Sequence, residues 1–293
     1  MSGRWYVLVA ITVAIAGCAP TAGPLVAQPA PAQEVRFAVL ADTHVGADPD
    51  WAFDGVRPYA SLKLAVEKIN ALKPAPSEVI VLGDLAVEGK ADQYRSYLDA
   101  LSGLTVGNVR HLLGNHDQYP AFRSVVLSDK AGPPPGTWPP PQYRYAWDAG
   151  AGWRMIAMDT RRGGQTIGEL SDSQLSWLSE QASAAGDRNV LVFMHHHPIR
   201  TDNEGIIDPD RLWKVVAEHP NIRAIFCGHL HEFGFQQRTG VHVVSAPTTA
   251  WCVDPAANRG LLMVTAGAKS LTVRFVPLGD VAGAAESVRT LTW

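Results

Sequence analysis

An α/β fold is predicted for this chain, and three observations predict it. From Val35 onward, short apolar runs alternate with stretches of helical periodicity. The runs are continuous rather than alternating, which marks strands covered on both faces. Five of them stop at segments rich in Asp, His and Asn: Asp42-Thr43-His44, Gly83-Asp84, Gly114-Asn115-His116-Asp117, His195-His196-His197-Pro198 and Gly228-His229-Leu230-His231. Open α/β sheets bind ligands at the carboxyl ends of their strands. Side chains far apart in sequence are therefore expected to meet on one edge.

The elements follow in order. Val35 to Ala41 reads as the first strand. Pro58 to Leu72 reads as a helix: Pro58 suits a first turn, and Leu62, Ala65, Val66 and Ile69 share a face. Val79 to Leu82 is a strand, Ala91 to Leu101 a helix with Tyr94, Tyr97, Leu98 and Leu101 inward, and Val109 to Leu113 a strand. Arg154 to Met158 is a strand, and Ser171 caps a helix to Ala185 with Leu175, Leu178 and Ala182 on one face. Val190 to Met194 and Ile222 to Cys227 are strands around the helix Pro209 to Glu218. After His231 the pattern changes to short strands at Phe233 to Gln237, Val241 to Ser245, Gly260 to Thr265 and Leu271 to Val276. These predict a second, partly antiparallel sheet packed on the first.

An insertion over 119–143 breaks the rhythm. Its six prolines from Pro133 to Pro141, around Trp138, argue against helix and central strand. Such a segment suits a lid or specificity loop, and equally a plain surface excursion.

At 293 residues, 46% hydrophobic and 18% charged, the chain suits one large domain with a substantial core. The formal net charge of −3 argues against tracking of a long nucleic acid. The N-terminus reads as a targeting signal over 1–18: Arg4, then an apolar stretch from Trp5 to Ala16 that is short for a membrane span. Ile15-Ala16-Gly17-Cys18 resembles the lipobox of bacterial lipoproteins. That resemblance makes Cys18 the acylated mature N-terminus, and 19–33, rich in Ala and Pro, a tether for the domain over 34–293. The expected location is the bacterial cell envelope, exported and held to a membrane by the lipid. Of the other cysteines, Cys227 reads as a core residue, and a Cys227–Cys252 bridge is possible but not required.

Asp offers a hard oxygen donor and His a borderline nitrogen, so the five segments together suit a metal. Any one histidine among them is as easily a satisfied core residue. The ordered set resembles the calcineurin-like metallophosphoesterases, from Val35 to Val276, and especially the class III cyclic-nucleotide phosphodiesterases. The features nearer that class are Gly83-Asp84-Leu85-Ala86, His195-His196-His197-Pro198, Cys227-Gly228-His229-Leu230-His231 and Ser245-Ala246-Pro247-Thr248-Thr249. They also fit glycerophosphodiester hydrolases.

The resemblance implies a four-layer αββα sandwich with two central mixed sheets and two divalent or trivalent transition-metal ions, Fe, Mn, Zn or Ni. Asp42, His44 and His231 would hold one ion, and Asn115, His195 and His229 the other, with Asp84 bridging. His195 matches the first histidine of the family's pair, with His196 in reserve and His197 further out. A water between the ions would become a hydroxide that attacks phosphorus. His116 would stabilise the phosphoryl group or protonate the leaving oxygen, and Asp117 would orient it or cap a helix. Relatives often carry a polar residue three positions after the bridging Asp to support that histidine; Val87 stands there.

Arg161, Arg162 and Arg200 follow strand ends and could grip a phosphate, or be ordinary solvated arginines. Trp51, Tyr119 and Trp138 could stack on a base or simply pack the loops. The expected substrate is a small phosphodiester of cyclic-nucleotide or glycerophosphodiester type. The rival readings are a phosphomonoesterase on the same site and a catalytically inactive ligand-binding lipoprotein.

Overall fold

The β-branched and aliphatic runs form twelve strands among the residues that the computed structural model describes, namely 1–3, 34–127, 142–150, 152–253, 259–279 and 286–293. Cys18, the tether 19–33 and the insertion from 128 to 141, with Trp138, lie outside them.

The first six-stranded sheet has the order β12 (Ser287–Thr292), β11 (Ser270–Pro277), β10 (Gly260–Ala266), β1 (Val35–Leu40), β2 (Glu78–Val81), β3 (Val109–His111). The second runs β4 (Tyr145–Asp148), β5 (Trp153–Ala157), β6 (Asn189–Phe193), β7 (Ile222–Cys227), β9 (Val241–Ser245), β8 (Gly234–Arg238). Each sheet holds a parallel run, β1-β2-β3 or β5-β6-β7-β9, and the Asp, His and Asn motifs follow β1, β2, β3, β6 and β7.

Side-chain alternation builds the layers. On β6, Leu191 and Phe193 enter one core while Val190, Val192 and Met194 enter another. The first core lies between the sheets, where Phe37 of one meets Phe193 and Phe226 of the other edge-on at 5.9 and 6.0 Å. Full burial of each such ring stabilises the fold by roughly 1.5–3 kcal/mol. Helices α1 (Pro58–Ala71), α2 (Ala91–Leu101) and α3 (Tyr119–Val125) cover the first sheet, burying Leu62, Ile69, Tyr94 and Phe122. Helices α4 (Asp172–Ala184) and α5 (Pro209–Glu218) cover the second with Leu175, Leu178, Leu212 and Val216. The result is the four-layer αββα sandwich.

Three expectations need correction. The strands after His231 do not make a sheet of their own. β8 and β9 extend the second sheet, and β10 to β12 return to the first through an antiparallel pairing of β10 with β1. The reason is shared demand: β1 needs a partner on its free side, and β10 offers an equally apolar run. The insertion also opens with a helix, α3, because Pro120 sits in its first turn, where a missing N–H costs nothing. Finally, β4 and β12 carry too mixed a pattern to stand out; they are an edge strand with an intermediate face and a largely exposed one.

Candidate metal centre

All five motifs lie just beyond the carboxyl ends of parallel strands, three from the first sheet and two from the second. The chain must turn sharply there, and the turns are strained. Asp42, His44, Asp84, His229 and His231 have φ of 52°, 40°, 49°, 69° and 54°. They are five of the eight non-glycine residues with positive φ among those described, so the unfavourable backbone is concentrated at this edge. Glycines let the loops close. Gly83 has φ 106°, and a methyl group on Gly114 would fall onto the Asp84 carboxylate and the His195 ring.

The donors meet at short range. His44 Nε2 is 3.1 Å from His231 Nε2 and 3.6 Å from Asp84 Oδ2. His231 Nε2 is 3.6 Å from Asp42 Oδ1. On the other side, His195 Nε2 lies 3.4 Å from Asp84 Oδ2 and 3.1 Å from Asn115 Oδ1. The His229 and His195 rings are 5.0 Å apart. The structure thus brings together Asp42, His44, Asp84, Asn115, His195, His229 and His231, with Asp84 common to both halves. Donor spacings in this range suit ligands around cations with bonds of about 2.1 Å.

Hydrogen bonds on the outer ring nitrogens test the fit. His195 Nδ1 donates to the Leu82 carbonyl at 2.9 Å, His231 Nδ1 to Trp251 at 2.6 Å and His229 Nε2 to Asn203 at 3.1 Å. Each bond fixes the tautomer so that the inner nitrogen carries a lone pair, as in metal-binding histidines. His44 is the exception: its Nδ1 is buried with no hydrogen-bond partner. His196 differs in kind. Its nitrogens are engaged by Thr160 Oγ1 at 2.7 Å and the Thr166 carbonyl at 2.8 Å, so it is committed as a support. His197 is buried, and its Nδ1 accepts from the Ile199 and Arg200 amides.

Electrostatics agree with a site that wants cations. Burial pushes Asp42 up despite His231 and His195. Burial would also raise Asp84, but His195, then His44 and His116, hold it well below the usual carboxylate range. Burial works against charge on His195, yet Asp84 and Asp42 lift it to about 9. Burial holds His229 at about 4 and His44 well below the usual imidazole range. A proton on His195 therefore stands beside Asp84 where a cation would otherwise offset its charge.

His116 stands at the mouth, 42% exposed, its ring edge-on to His44 at 4.8 Å. Its Nδ1 donates to the Val87 carbonyl at 2.6 Å, so the backbone of Val87 supplies the support that its side chain lacks. Asp117 neither orients His116 nor caps α3, whose N-cap Gln118 makes no side-chain bond. Its carboxylate instead takes the Gly114 amide at 2.9 Å, the Leu85 amide at 3.2 Å and the Tyr94 hydroxyl at 2.9 Å. Asp117 therefore ties two donor loops to α2, because its carboxylate faces backbone N–H groups and away from the ring. The Thr248-Thr249 pair does a similar job, bonding the carbonyls of Asp42 and Ala41.

Among the arginines, Arg161 is held by Asp159 at 2.6 Å and lines a cavity of about 390 Å³ beside Asn115. Arg162 pairs with Glu169, and Arg200 with Asp202, on exposed loops. Tyr119 lines the same cavity as Arg161, and Trp51 lies by Trp251 on the other side. Sequence reasoning missed Trp251, Phe53, Tyr94 and Thr160, which lie in no ligand motif. Cys227 is a buried thiol beside Val244 and Ser245, and makes no bridge to Cys252.

A sandwich with buried Asp and His donors at one edge defines a metallohydrolase architecture. The chain belongs to the calcineurin-like phosphoesterase family, whose pattern matches residues 35–233. It is 27% identical over 245 residues to the 3',5'-cyclic adenosine monophosphate phosphodiesterase CpdA of Vibrio vulnificus, covering 82% of this chain and 85% of that one. It is 30% identical over 225 residues to the glycerophosphodiester phosphodiesterase GpdQ of Enterobacter lignolyticus, covering 73% and 77%. The fold matches that of a dimetal phosphatase from Danio rerio with a TM-score of 0.68 at 16% identity, over 90% of this chain and 99% of that one.

Proposed function

We propose that this chain is a metal-dependent phosphodiesterase acting on small diesters of cyclic-nucleotide or glycerophosphodiester type. Asp42, His44 and His231 would hold one cation, and Asn115, His195 and His229 a second, with Asp84 shared. The observation that carries this reading is the convergence of those donors, with the outer nitrogens of His195, His229 and His231 held by carbonyls. The mixed oxygen and nitrogen donors suit Fe, Mn, Zn or Ni. Bound there, the ions supply Lewis-acid charge for phosphoryl oxygens and a water acidic enough to be a nucleophile near neutral pH.

The chain's own residues do the rest. Only Asp42 and Asp84 bring negative charge to the seven donors, so with two divalent ions bound the site would offer a phosphate net positive charge. His116, steered by the Val87 carbonyl, keeps Nε2 4.0 Å from Asp84 Oδ2 and points its exposed edge outward. In its protonated form it donates to a phosphoryl oxygen or to the leaving alkoxide. Asp117 and Tyr94 hold the loops of Asp84 and Asn115 in register. Arg161, fixed by Asp159, sits where an ester group beside Asn115 would pass.

The test is elemental analysis together with turnover of bis-p-nitrophenyl phosphate and p-nitrophenyl phosphate. We expect faster diester than monoester turnover, lost on chelation and regained on metal addition. Folded protein that takes up no transition ion would sink the proposal. Export and lipidation at Cys18 belong to the same proposal and rest on the lipobox. A Cys18→Ala chain released from the membrane fraction would support them, and one still retained there would not.

A further inference from the structure

Four rings run outward from the His44 half of the centre. His44 lies against Trp251, with centroids 4.5 Å apart at 32°. Trp251 meets Phe53 at 4.6 Å and Trp51 edge-on at 6.1 Å. Trp51 and Phe53 stack at 6.4 Å and 27°. Trp251 is tied to the centre a second time, since its carbonyl takes the His231 Nδ1 proton.

Phe53 is the odd member. It is 51% exposed, the one aromatic among the exposed large apolar side chains of the described residues. A mobile loop would fold such a ring inward. This one is held out. Asp54 and Gly55 have φ of 49° and 75°, and Phe53 and Val56 exchange two backbone hydrogen bonds of 2.9 Å. That is a tight two-residue hairpin turn of the type that needs positive φ at both central positions. The ring is fixed beside the centre before anything binds, so little ordering entropy opposes its use.

The other end of the centre is different. The cavity beside Asn115 presents Gln118, Gln142, Gln165 and Arg162, with the buried Tyr119 in its wall. A diester lying across the centre thus meets a flat aromatic side and a hydrogen-bonding side.

We infer that Phe53, backed by Trp51 and Trp251, is a specificity shelf for a planar aromatic ring carried by the substrate's ester group, as a nucleobase is. The inference rests on the phosphodiesterase reading above. A base offers a π-face to stack on Phe53; the two glycerol arms of a glycerophosphoglycerol offer none, whereas a choline cation would itself be drawn to the rings. Phe53 has no proton to give and determines selectivity only.

The experiment compares kcat/KM for 3',5'-cyclic AMP with that for glycerophosphoglycerol, which has neither a planar ring nor a cation, in the metal-loaded wild type, Phe53→Ala and Phe53→Tyr. Phe53→Ala is expected to lower the ratio about tenfold, mainly through KM for the cyclic nucleotide, as loss of one stacking ring does. Phe53→Tyr is expected to restore it. An unchanged ratio overturns the shelf. Tryptophan fluorescence gives a readout independent of turnover: cyclic AMP should quench it saturably, and Phe53→Ala should weaken that titration about tenfold. No saturable quenching, or the same curve in the variant, also overturns the shelf. Quenching that depends on Phe53 in a chain with no diester turnover would keep the shelf and sink the hydrolase reading instead.

Discussion

The two halves of the centre each take two histidines and differ in their third donor and in what surrounds them. The His44 half has a carboxylate of its own, Asp42, and an aromatic wall, but His44 Nδ1 has no hydrogen-bond partner. The Asn115 half has a neutral amide in place of that carboxylate, while His195 and His229 are both held by carbonyls. These differences pull metal affinity in opposite directions. A missing outer hydrogen bond costs about 10–100-fold in affinity. A full unit of charge a few ångströms from a cation is worth about 4 kcal/mol at an effective dielectric constant near 20, and more for a divalent ion. Charge wins. On that estimate the better-oriented half should bind its ion more weakly, and the Asn115 ion is expected to leave first on chelation.

The largest effect should come from the residue that joins the halves. Asp84→Ala is expected to release both ions and bring diester turnover to background, read by metal content and kcat together. Full metal content with retained turnover would separate the halves and break the comparison. Next is His116, close to the aromatic half but outside the donor set. His116→Ala should keep both ions and lower kcat about 10²–10⁴-fold, the usual worth of a positioned proton donor. Loss of metal in that variant would move it into the donor set.

Asn115→Asp sharpens the charge argument directly. It should raise affinity at the second half at least about tenfold, by the charge estimate above, and merge the two chelation steps into one. Two steps persisting unchanged would mean that orientation, not charge, ranks the halves. Tyr94→Phe tests the frame beneath them. It leaves the buried Asp117 carboxylate and the Gln118 amide each short of a partner, so a loss of about 1–3 kcal/mol in stability is expected. Metal content should fall more at Asn115 than at Asp42, because Asp117 holds the Gly114 amide.

The smallest effect is on the metal-free chain. Burial holds His197 and His229 at about 4, and His44 and His196 also well below 6.5. Below pH 6.5 the unfolded chain takes up protons at these positions that the folded chain refuses, at His197 and His229 until about pH 4. Their contribution is therefore complete above 6.5 and lost as pH falls through that window. Asp84, held below 3.8, enters only at lower pH; His195, lifted to about 9, and Asp42 and Asp117, held high, oppose the loss and are outnumbered. The Tm of chelator-treated protein should drop by several degrees between pH about 7 and about 5. A flat profile would mean that these imidazoles are wetter than their burial suggests.

Much of this centre was legible in the chain. Each donor motif is a local pattern, an apolar run followed by a turn with Asp, His or Asn, and the strand ends need no tertiary information to be seen. The choice of His195 over His196 also agrees with the hydrogen bonds, though only the fold gives the reason: Thr160 and Thr166, more than 29 residues upstream, occupy both nitrogens of His196. Asp117 was misread because a carboxylate beside a histidine looks like its partner, while the competing amides of Leu85 and Gly114 are set by how loops pack.

The linear sequence determined the αβ rhythm, the donor types and their order, because strand, helix and turn preferences act over a few residues. Only the tertiary structure decided that β10 to β12 return to the first sheet, that a carbonyl at Val87 replaces a side chain, and that Trp251, with Phe53 packed against it, borders the donors. Those are choices of partner between distant segments. They follow from which buried surfaces and hydrogen-bond groups remain unpaired once the chain collapses, and no local pattern encodes them.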